Sequence, residues 1–393
     1  MNQRDLFLRH VAQTSEAPLA LEFVRAEGSY LWDAKGKRYI DLIGGISVCN
    51  VGHRHPAVVA AIKDQADRYL HTMVYGETVQ TPQVGYARLL AEHLPPSLNC
   101  VYFTNSGTEA VEGAMKLAKR ATGRTEIVGF LEAYHGSSQG ALSLMGDEYW
   151  RNAFRPLLPG IHHLRHNDTR DLARIGSQTA CVVLETIQGE AGVRAPDAAW
   201  MRALRERCDQ VGALLVLDEI QCGFGRNGTL WAFEQYGIVP DILLLGKALG
   251  GGMPLGAFVA DRSLMYELAS KPVLGHITTF GGHPVSCAAG MAAMRALLAE
   301  RMVEGVAERE TWFRTALENL PGVRALRSRG LMIALEFDSF ETNKQVIDRA
   351  IAAGVFTDWF LHSAQSMRIV PPLNISREDV QRACEILALC ISS

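Results

Sequence analysis

Ala213–Asp218 reads ALLVLD, and Asp241–Ala257 reads DILLLGKALGGGMPLGA. The runs Ala213–Leu217 and Ile242–Leu245 inside them are apolar throughout and of strand length. A strand covered on both faces shows no polar alternation, so both read as strands of a buried sheet. The first ends in the carboxylate Asp218, and the second runs into Gly246 and Lys247. The spacing between Asp218 and Lys247 fits one strand–helix–strand crossover, which makes the strands parallel and sends both side chains off the same edge. Ligands of open parallel sheets bind beyond the carboxyl ends of the strands.

Working outward, Val101–Thr104 and Ala180–Glu185 have the same buried-strand character. After Ser106–Gly107, the positions Val111, Ala114, Met115 and Ala118 fall on one helical face, and Trp200–Val211 is similar. Strands alternating with helices predict a mainly parallel sheet with helices on both sides, an α/β fold. The two chain ends differ. Gly28–Tyr39 (GSYLWDAKGKRY) reads as a hairpin with Lys35–Gly36 near its turn. Gly330–Phe337 and Ser366–Val370 read as strands, with helices over Lys344–Ala353 and Arg377–Cys390. That pattern predicts a smaller α+β domain built from residues 1–50 and 291–393, beside a large domain over 51–290.

Composition narrows the function. The 393 residues are 48% hydrophobic and 21% charged, an ordinary globular balance too long for one small core. Net charge is −3, from 39 basic and 42 acidic residues without basic runs. Nothing there recruits nucleic acid or an anionic membrane. The apolar runs are too short to span a bilayer. Met1–Arg9 carries Arg4, Asp5 and Arg9 and does not read as a secretory signal. None of the eight cysteines forms a C-x-x-C pair or a zinc pattern, so they read as small buried apolar residues of a reducing compartment. The expectation is a cytoplasmic enzyme with no metal.

Lys247 is the chemical candidate. A lone loop lysine is ordinarily just exposed. Beyond a buried strand, however, it is desolvated, which lowers its pKa and favours Schiff-base chemistry. Asp218 could simply cap a helix, but beside a pyridine nitrogen an acid keeps that nitrogen protonated. Phe103–Glu112 (FTNSGTEAVE) reads as a strand end, a small-residue turn and a helix start, where backbone N–H groups bind phosphate. Glu109 and Glu112 there suit the helix dipole.

These residues sit in a series of motifs: GSYLWDAKGKRYIDL, VGHRHP, NSGTEAVEGAMKLAK, YHGSSQGALS, LETIQGEAGV, LDEIQCGFGRNG, LLGKALGGGMPLGA, TTFGGHPVSCAAG and MRIVPPL. In this order, and spanning nearly the whole chain, they resemble the class III aminotransferases of the pyridoxal-phosphate fold type I group. The branch is that of the acetylornithine, ornithine and 4-aminobutyrate enzymes. The resemblance implies pyridoxal 5'-phosphate as cofactor, with Lys247 as the lysine that carries it and Asp218 as partner of its pyridine nitrogen. It places Gln221 near the phenolic oxygen, Gly107 and Thr108 in the phosphate cup, and Tyr134 stacked on the ring. Thr279 matches a threonine reaching the phosphate from the other subunit, which implies a homodimer with shared sites. Glu190 matches the glutamate that pairs with, and releases, a carboxylate-binding arginine, here Arg368. A static ion pair is the plainer alternative for those two.

Three positions, Ser137, Thr186 and His283, depart from the family pattern, and a fourth, Ile46, separates its branches. Ser137 stands where many members have a carboxylate-binding arginine. Ile46 stands where ornithine enzymes carry a tyrosine and acetylornithine enzymes an isoleucine. Ile46 argues against free ornithine, whereas Ser137 weakens the match to acetylornithine. Thr186 replaces a common proline and His283 a common asparagine. Gly223–Gly228 (GFGRNG) matches a dinucleotide fingerprint by letter, but it does not directly follow its strand and reads as a turn. His53 and His55 lack a third metal ligand and read as structural, and His135 reads as pocket wall. The resemblance implies transfer of an amino group from an ω-amino donor, N-acetylornithine-like, to a 2-oxo acid such as 2-oxoglutarate. The alternatives are a pyridoxal-phosphate aminomutase or racemase, and a diamine aminotransferase. A non-catalytic module of the same fold is the rival from another class.

Overall fold

Successive residues of the two deciding strands enter opposite cores. In the computed structural model, which describes residues 2–392, Leu215 and Leu217 pack into one apolar cluster and Val216 into another. Leu243 and Leu245 part from Ile242 and Leu244 in the same way. With both faces covered, no position of these strands favours a polar side chain until the strand ends.

Three strands come first: β1 (Phe23–Glu27), β2 (Tyr30–Asp33) and β3 (Arg38–Asp41). β2 and β3 form the expected hairpin, and β1 extends it. Seven strands then build the central sheet: β4 (Cys100–Thr104), β5 (Glu126–Phe130), β6 (Ile161–Leu164), β7 (Thr179–Glu185), β8 (Leu214–Asp218), β9 (Ile242–Leu245) and β10 (Gly256–Ala260). Their order is β4-β10-β9-β8-β7-β5-β6. Only β10 runs against its neighbours. The pattern reading did not contain β5, β6 or β10. EIVGF mixes charge and glycine, IHHL carries two histidines, and GAFVA follows a glycine-rich loop, so none shows a long apolar run.

β11 (Ala325–Arg329), β12 (Met332–Glu336), β13 (Val355–Phe356), β14 (Asp358–Phe360) and β15 (Ser363–Ile369) complete the set. A second four-stranded sheet has the order β11-β12-β15-β14. β13 instead pairs in parallel with β3, so segments near both chain ends share one sheet. β15 begins three residues before the expected Ser366, in a polar stretch that periodicity does not mark.

Two helices bracket the central sheet. Gly107–Thr122 packs on one face, with Val111, Ala114, Met115 and Ala118 buried as expected, and Ala110 and Leu117 as well. Ala198–Val211 packs on the other through Trp200, Met201, Leu204 and Cys208. All eight cysteines are free; Cys49 and Cys100 are partly exposed, which corrects the expectation that all are buried. Among the described residues, no helix is long and apolar enough to cross a membrane.

The sheet's carboxyl edge is held in line by the backbone. Glu185 lies opposite Asp218 in the β7–β8 register. Past the strand ends, Thr186 N–H donates to the Asp218 carbonyl at 3.2 Å and Glu219 N–H to that of Leu244 at 3.0 Å. Phe258 anchors the other half of the sheet: it is fully buried and stacks on Tyr102 with ring centroids 4.8 Å apart. Phe258→Ala should cost about 3–5 kcal/mol, the usual loss for a buried phenylalanine. Chemical denaturation should show it as a lower midpoint with little change in slope.

Candidate active site

β9 ends at Leu245, Gly246 continues in extended geometry, and Lys247 turns left-handed with φ +47°. Such a φ is uncommon outside glycine and marks backbone held by its surroundings. A side chain on Gly246 would come within 3.1 Å of Ile220 and 3.5 Å of the Gly107 Cα. The lysine turn therefore passes directly against the start of helix Gly107–Thr122. Burial lowers the Lys247 pKa, while Asp218, Glu190 and Glu185 pull it back up.

Asp218 is 4% exposed. One carboxylate oxygen accepts from Ile220 N–H at 2.9 Å, the turn-capping role considered for it. The other meets His135 Nδ1 at 2.7 Å, with both side chains buried. Burial pulls the His135 pKa down, but the Asp218 bond and charge outweigh it and leave the pKa raised. Glu185 lies alongside and accepts from Tyr134 N–H at 2.9 Å and Gly189 N–H at 3.0 Å. Burial pushes it up to about 7, against the pull of His135. Pattern reading does not reveal that His135, read as wall, is the partner of Asp218: the two are far apart in the chain and no spacing rule links them.

The helix start is built for an anion. N–H groups of a first helical turn have no partner inside the helix, and those of Gly107 and Thr108 belong to that turn. Thr108 Oγ1 lies 2.6 Å from Ser138 Oγ, and Ser138 N–H donates back to it at 3.2 Å. Gly136 takes φ +122°, and a Cβ there would fall 2.4 Å from Thr108 Oγ1, so only glycine lets this loop approach. Glu112 does more than suit the dipole: it accepts from the Ser138 hydroxyl at 2.6 Å and Gly140 N–H at 2.8 Å.

A cavity of about 360 Å³ opens between these elements, lined by Gly107, Thr108, Tyr134, Ser137, Asp218, Gln221 and Lys247 among others. Gln221 lies against Gly189, with its Nε2 buried and without a partner, a donor waiting for an acceptor. Free N–H groups at one end, a carboxylate at the other, an amine, an orphaned amide donor and the phenol of Tyr134 suit a flat phosphorylated pyridine. Ser137 is exposed at the mouth, its hydroxyl 3.3 Å from that of Tyr134.

Other expected site residues lie outside this lining. Arg368 is fixed by a bidentate pair with Glu190, at 2.8 and 2.9 Å, and by the Trp359 carbonyl at 2.9 Å. Its Nε lies 2.9 Å from Asp358. Burial opposes both charges, yet the Glu190 pKa is lowered and that of Arg368 raised, because each stabilises the other. Ile46 sits in a run of left-handed residues, Gly44 to Ser47, with φ between 55° and 64°. Asp41 pins that run by accepting from Ile43 N–H at 2.8 Å and Gly44 N–H at 3.0 Å, while also pairing with His53 at 2.6 Å. Thr279 is exposed, away from the cavity. Gly223–Gly228 forms turns, and among the described residues no group of His, Cys, Asp or Glu could hold a metal.

Two departures now have physical accounts. Thr186 makes two bonds that proline lacks or cannot make: its N–H to the Asp218 carbonyl, and its hydroxyl to the buried Glu219 carboxylate at 3.0 Å. His283 caps the helix Pro284–Ala299 through Nδ1 and stacks on His71, with planes 7° apart.

This arrangement of sheet, lysine turn and phosphate-binding helix is the fold type I architecture of pyridoxal-phosphate transferases. The family described as Aminotransferase class-III matches residues 11–391, and the chain belongs to it: it is a transaminating enzyme that depends on pyridoxal phosphate. An acetylornithine aminotransferase of Methanopyrus kandleri is 41% identical over 395 residues, covering 99% of this chain and 98% of the relative. A putrescine aminotransferase of Pectobacterium atrosepticum is 38% identical over 380 residues, 92% of this chain and 80% of the relative. An (S)-enantioselective omega-transaminase of Thermomicrobium roseum superimposes with a TM-score of 0.92 at 30% identity, covering 100% of this chain and 99% of the other.

His135→Leu should leave Asp218 buried with one donor fewer, at a cost of about 3–5 kcal/mol. The wild-type contribution has a definite sign with pH. Because the folded pKa of His135 lies above its ordinary 6.5, its stabilisation is complete below that value and is lost as pH rises through the folded pKa. Glu185, pushed up to about 7, titrates in the same range, so melting temperatures should fall more steeply with rising pH in the wild type than in the variant.

Proposed function

We propose that this chain moves an amino group from an ω-amino donor of the N-acetylornithine type to a 2-oxo acid, with 2-oxoglutarate the expected acceptor. The observation that carries the site assignment is the meeting of Lys247, Asp218 and the helix start at Gly107 around one cavity. Pyridoxal phosphate, when bound, supplies the electron sink and the carrier for the amino group. Gly107 and Thr108 would hold its phosphate, and Tyr134 would cover one face of its ring. Asp218 would face the ring nitrogen, with His135 fixing the carboxylate's orientation. Gln221 Nε2 would supply a hydrogen bond to the phenolic oxygen. Lys247 would hold the cofactor through its amine, and that amine is the group placed to take the proton from the amine-bearing carbon of the donor. Arg368, when Glu190 releases it, holds the carboxylate of the 2-oxo acid in bidentate fashion. Supporting the donor class are the acetylornithine relatives, 36–41% identical over nearly the whole chain.

The same reading includes a cytoplasmic homodimer in which Thr279 serves the partner's phosphate cup; its exposed position suits that role. It also keeps residues 1–50 and 291–393 as a smaller domain against 51–290. A second reading, a diamine donor, draws on Ser137. With a hydroxyl rather than a cation at the cavity mouth, nothing there demands a carboxylate on the donor, and the putrescine relative fits that chemistry.

The test is the visible absorbance of the holoenzyme during separate additions of N-acetylornithine, putrescine and 4-aminobutyrate without any 2-oxo acid. The expected result is bleaching by N-acetylornithine and recovery on adding 2-oxoglutarate. Bleaching by putrescine alone would establish the diamine reading. Turnover without any added 2-oxo acid would support an aminomutase instead. Lys247→Ala should lose turnover and covalent attachment of the cofactor, and full activity in that variant would overturn the scheme.

A further inference from the structure

A second cavity, of about 630 Å³, lies behind the loop that carries Glu190. On one side is the end of that loop, and on the other are helix Val306–Leu317 and β11. The loop is closed by two backbone bonds, Gln188 N–H to the Arg194 carbonyl at 3.0 Å and Arg194 N–H to the Gln188 carbonyl at 2.9 Å. Its inner side carries Glu190 and the Gly189 surface against Gln221, whereas Gln188, Val193 and Arg194 face the second cavity.

The lining is strongly cationic. Arg194, Arg314, Arg327 and Arg329 all reach it, against the single carboxylate of Glu132. Arg314 and Arg327 have acidic partners, Glu318 and Glu336. Arg194 and Arg329, one on each wall, are in no ion pair among the described residues. His166 adds a buried Nε2 without a partner. Two guanidinium groups without a carboxylate partner, lining one cavity of small-molecule size, match phosphate or carboxylate groups, which accept paired N–H donors.

Arg327 ties this cavity to the gate. Its Nε donates to the Gly192 carbonyl at 2.7 Å, two residues from Glu190. Its Nη2 donates to Ser366 Oγ at 3.1 Å, two residues from Arg368. One side chain thus braces the segments that hold both members of the Glu190–Arg368 pair.

We propose that this cavity is a regulatory binding site for a small multivalent anion, a phosphate or polycarboxylate compound, held between Arg194 and Arg329. Bound there, the anion draws on Arg327 and changes how readily Glu190 releases Arg368. The second clause rests on the gate role given to that pair above; the binding clause does not.

Calorimetric titration of the holoenzyme at constant ionic strength, with citrate and separately with inorganic phosphate, tests the site. Saturable binding of at least one is expected, the pair of titrations showing whether carboxylate or phosphate is preferred. The double variant Arg194→Gln/Arg329→Gln, altered at two exposed positions, should bind at least tenfold more weakly, whereas Arg368→Gln should bind as the wild type does. No saturable binding to the wild type, or unchanged affinity in the double variant, would overturn the site. A loss confined to Arg368→Gln would place the anion in the active site and overturn it equally. For the coupling, a saturating anion should shift the KM for 2-oxoglutarate severalfold in the wild type but not in the double variant. An unmoved KM with binding intact would overturn the coupling alone. If instead the wild type does not use 2-oxoglutarate at all, the proposed reaction fails while the binding result stands.

Discussion

A carboxylate at the end of a strand buried on both faces cannot be left unpaired, because its charge has no water to face. Asp218 is in that position, and much of the site answers to it. Its partner His135 has to arrive from the loop after β5. That loop must bring Tyr134 and Gly136 with it, and Gly136 can then pass within contact of Thr108 only because it has no side chain. The phosphate turn, the aromatic wall and the buried imidazole are thereby placed relative to one carboxylate. Thr186 locks the same strand end from the β7 side, using a backbone N–H that proline would not have.

Glu190 and Arg368 meet the same requirement differently. Both are buried, they answer each other with two hydrogen bonds, and Asp358 stands by as a second acid. Burial pushes Asp358 up to about 6 although Arg368 pulls it down. A buried pair of this kind is not strong evidence for stability, since desolvation offsets much of the attraction. In the proposed reaction that balance is useful: the carboxylate of the 2-oxo acid would take the place of Glu190 on the guanidinium, so that Arg368 is never left without an acidic partner.

The sequence carried the chemistry of this site more clearly than its geometry. ALLVLD and ILLL were legible because total burial removes polar alternation, and Lys247 stood out because it follows such a run. β5, β6 and β10 were not legible, being short and mixed in character, and their places come from pairing with neighbours distant in the chain. The same limit hid His135. Its role depends on meeting Asp218 across two strands of the sheet, and pattern reading follows one strand or helix at a time. Ile46 was noticed for its identity, whereas its left-handed backbone, shared with three neighbours and pinned by Asp41, is visible only in three dimensions.

The reversed strand β10 has a consequence for the lysine. Leu245 and Ala257 are paired across β9 and β10, so the segment between them is a hairpin loop tethered to the sheet at both stems. Asp218 and Glu185 lead away into long excursions; Lys247 does not. In the proposed cycle its amine lets go of its partner and must find it again at every turnover. A loop closed this tightly has little room to wander in the interval, so the chain returns the same atom to the same place, and reattachment competes as an intramolecular event rather than as a search.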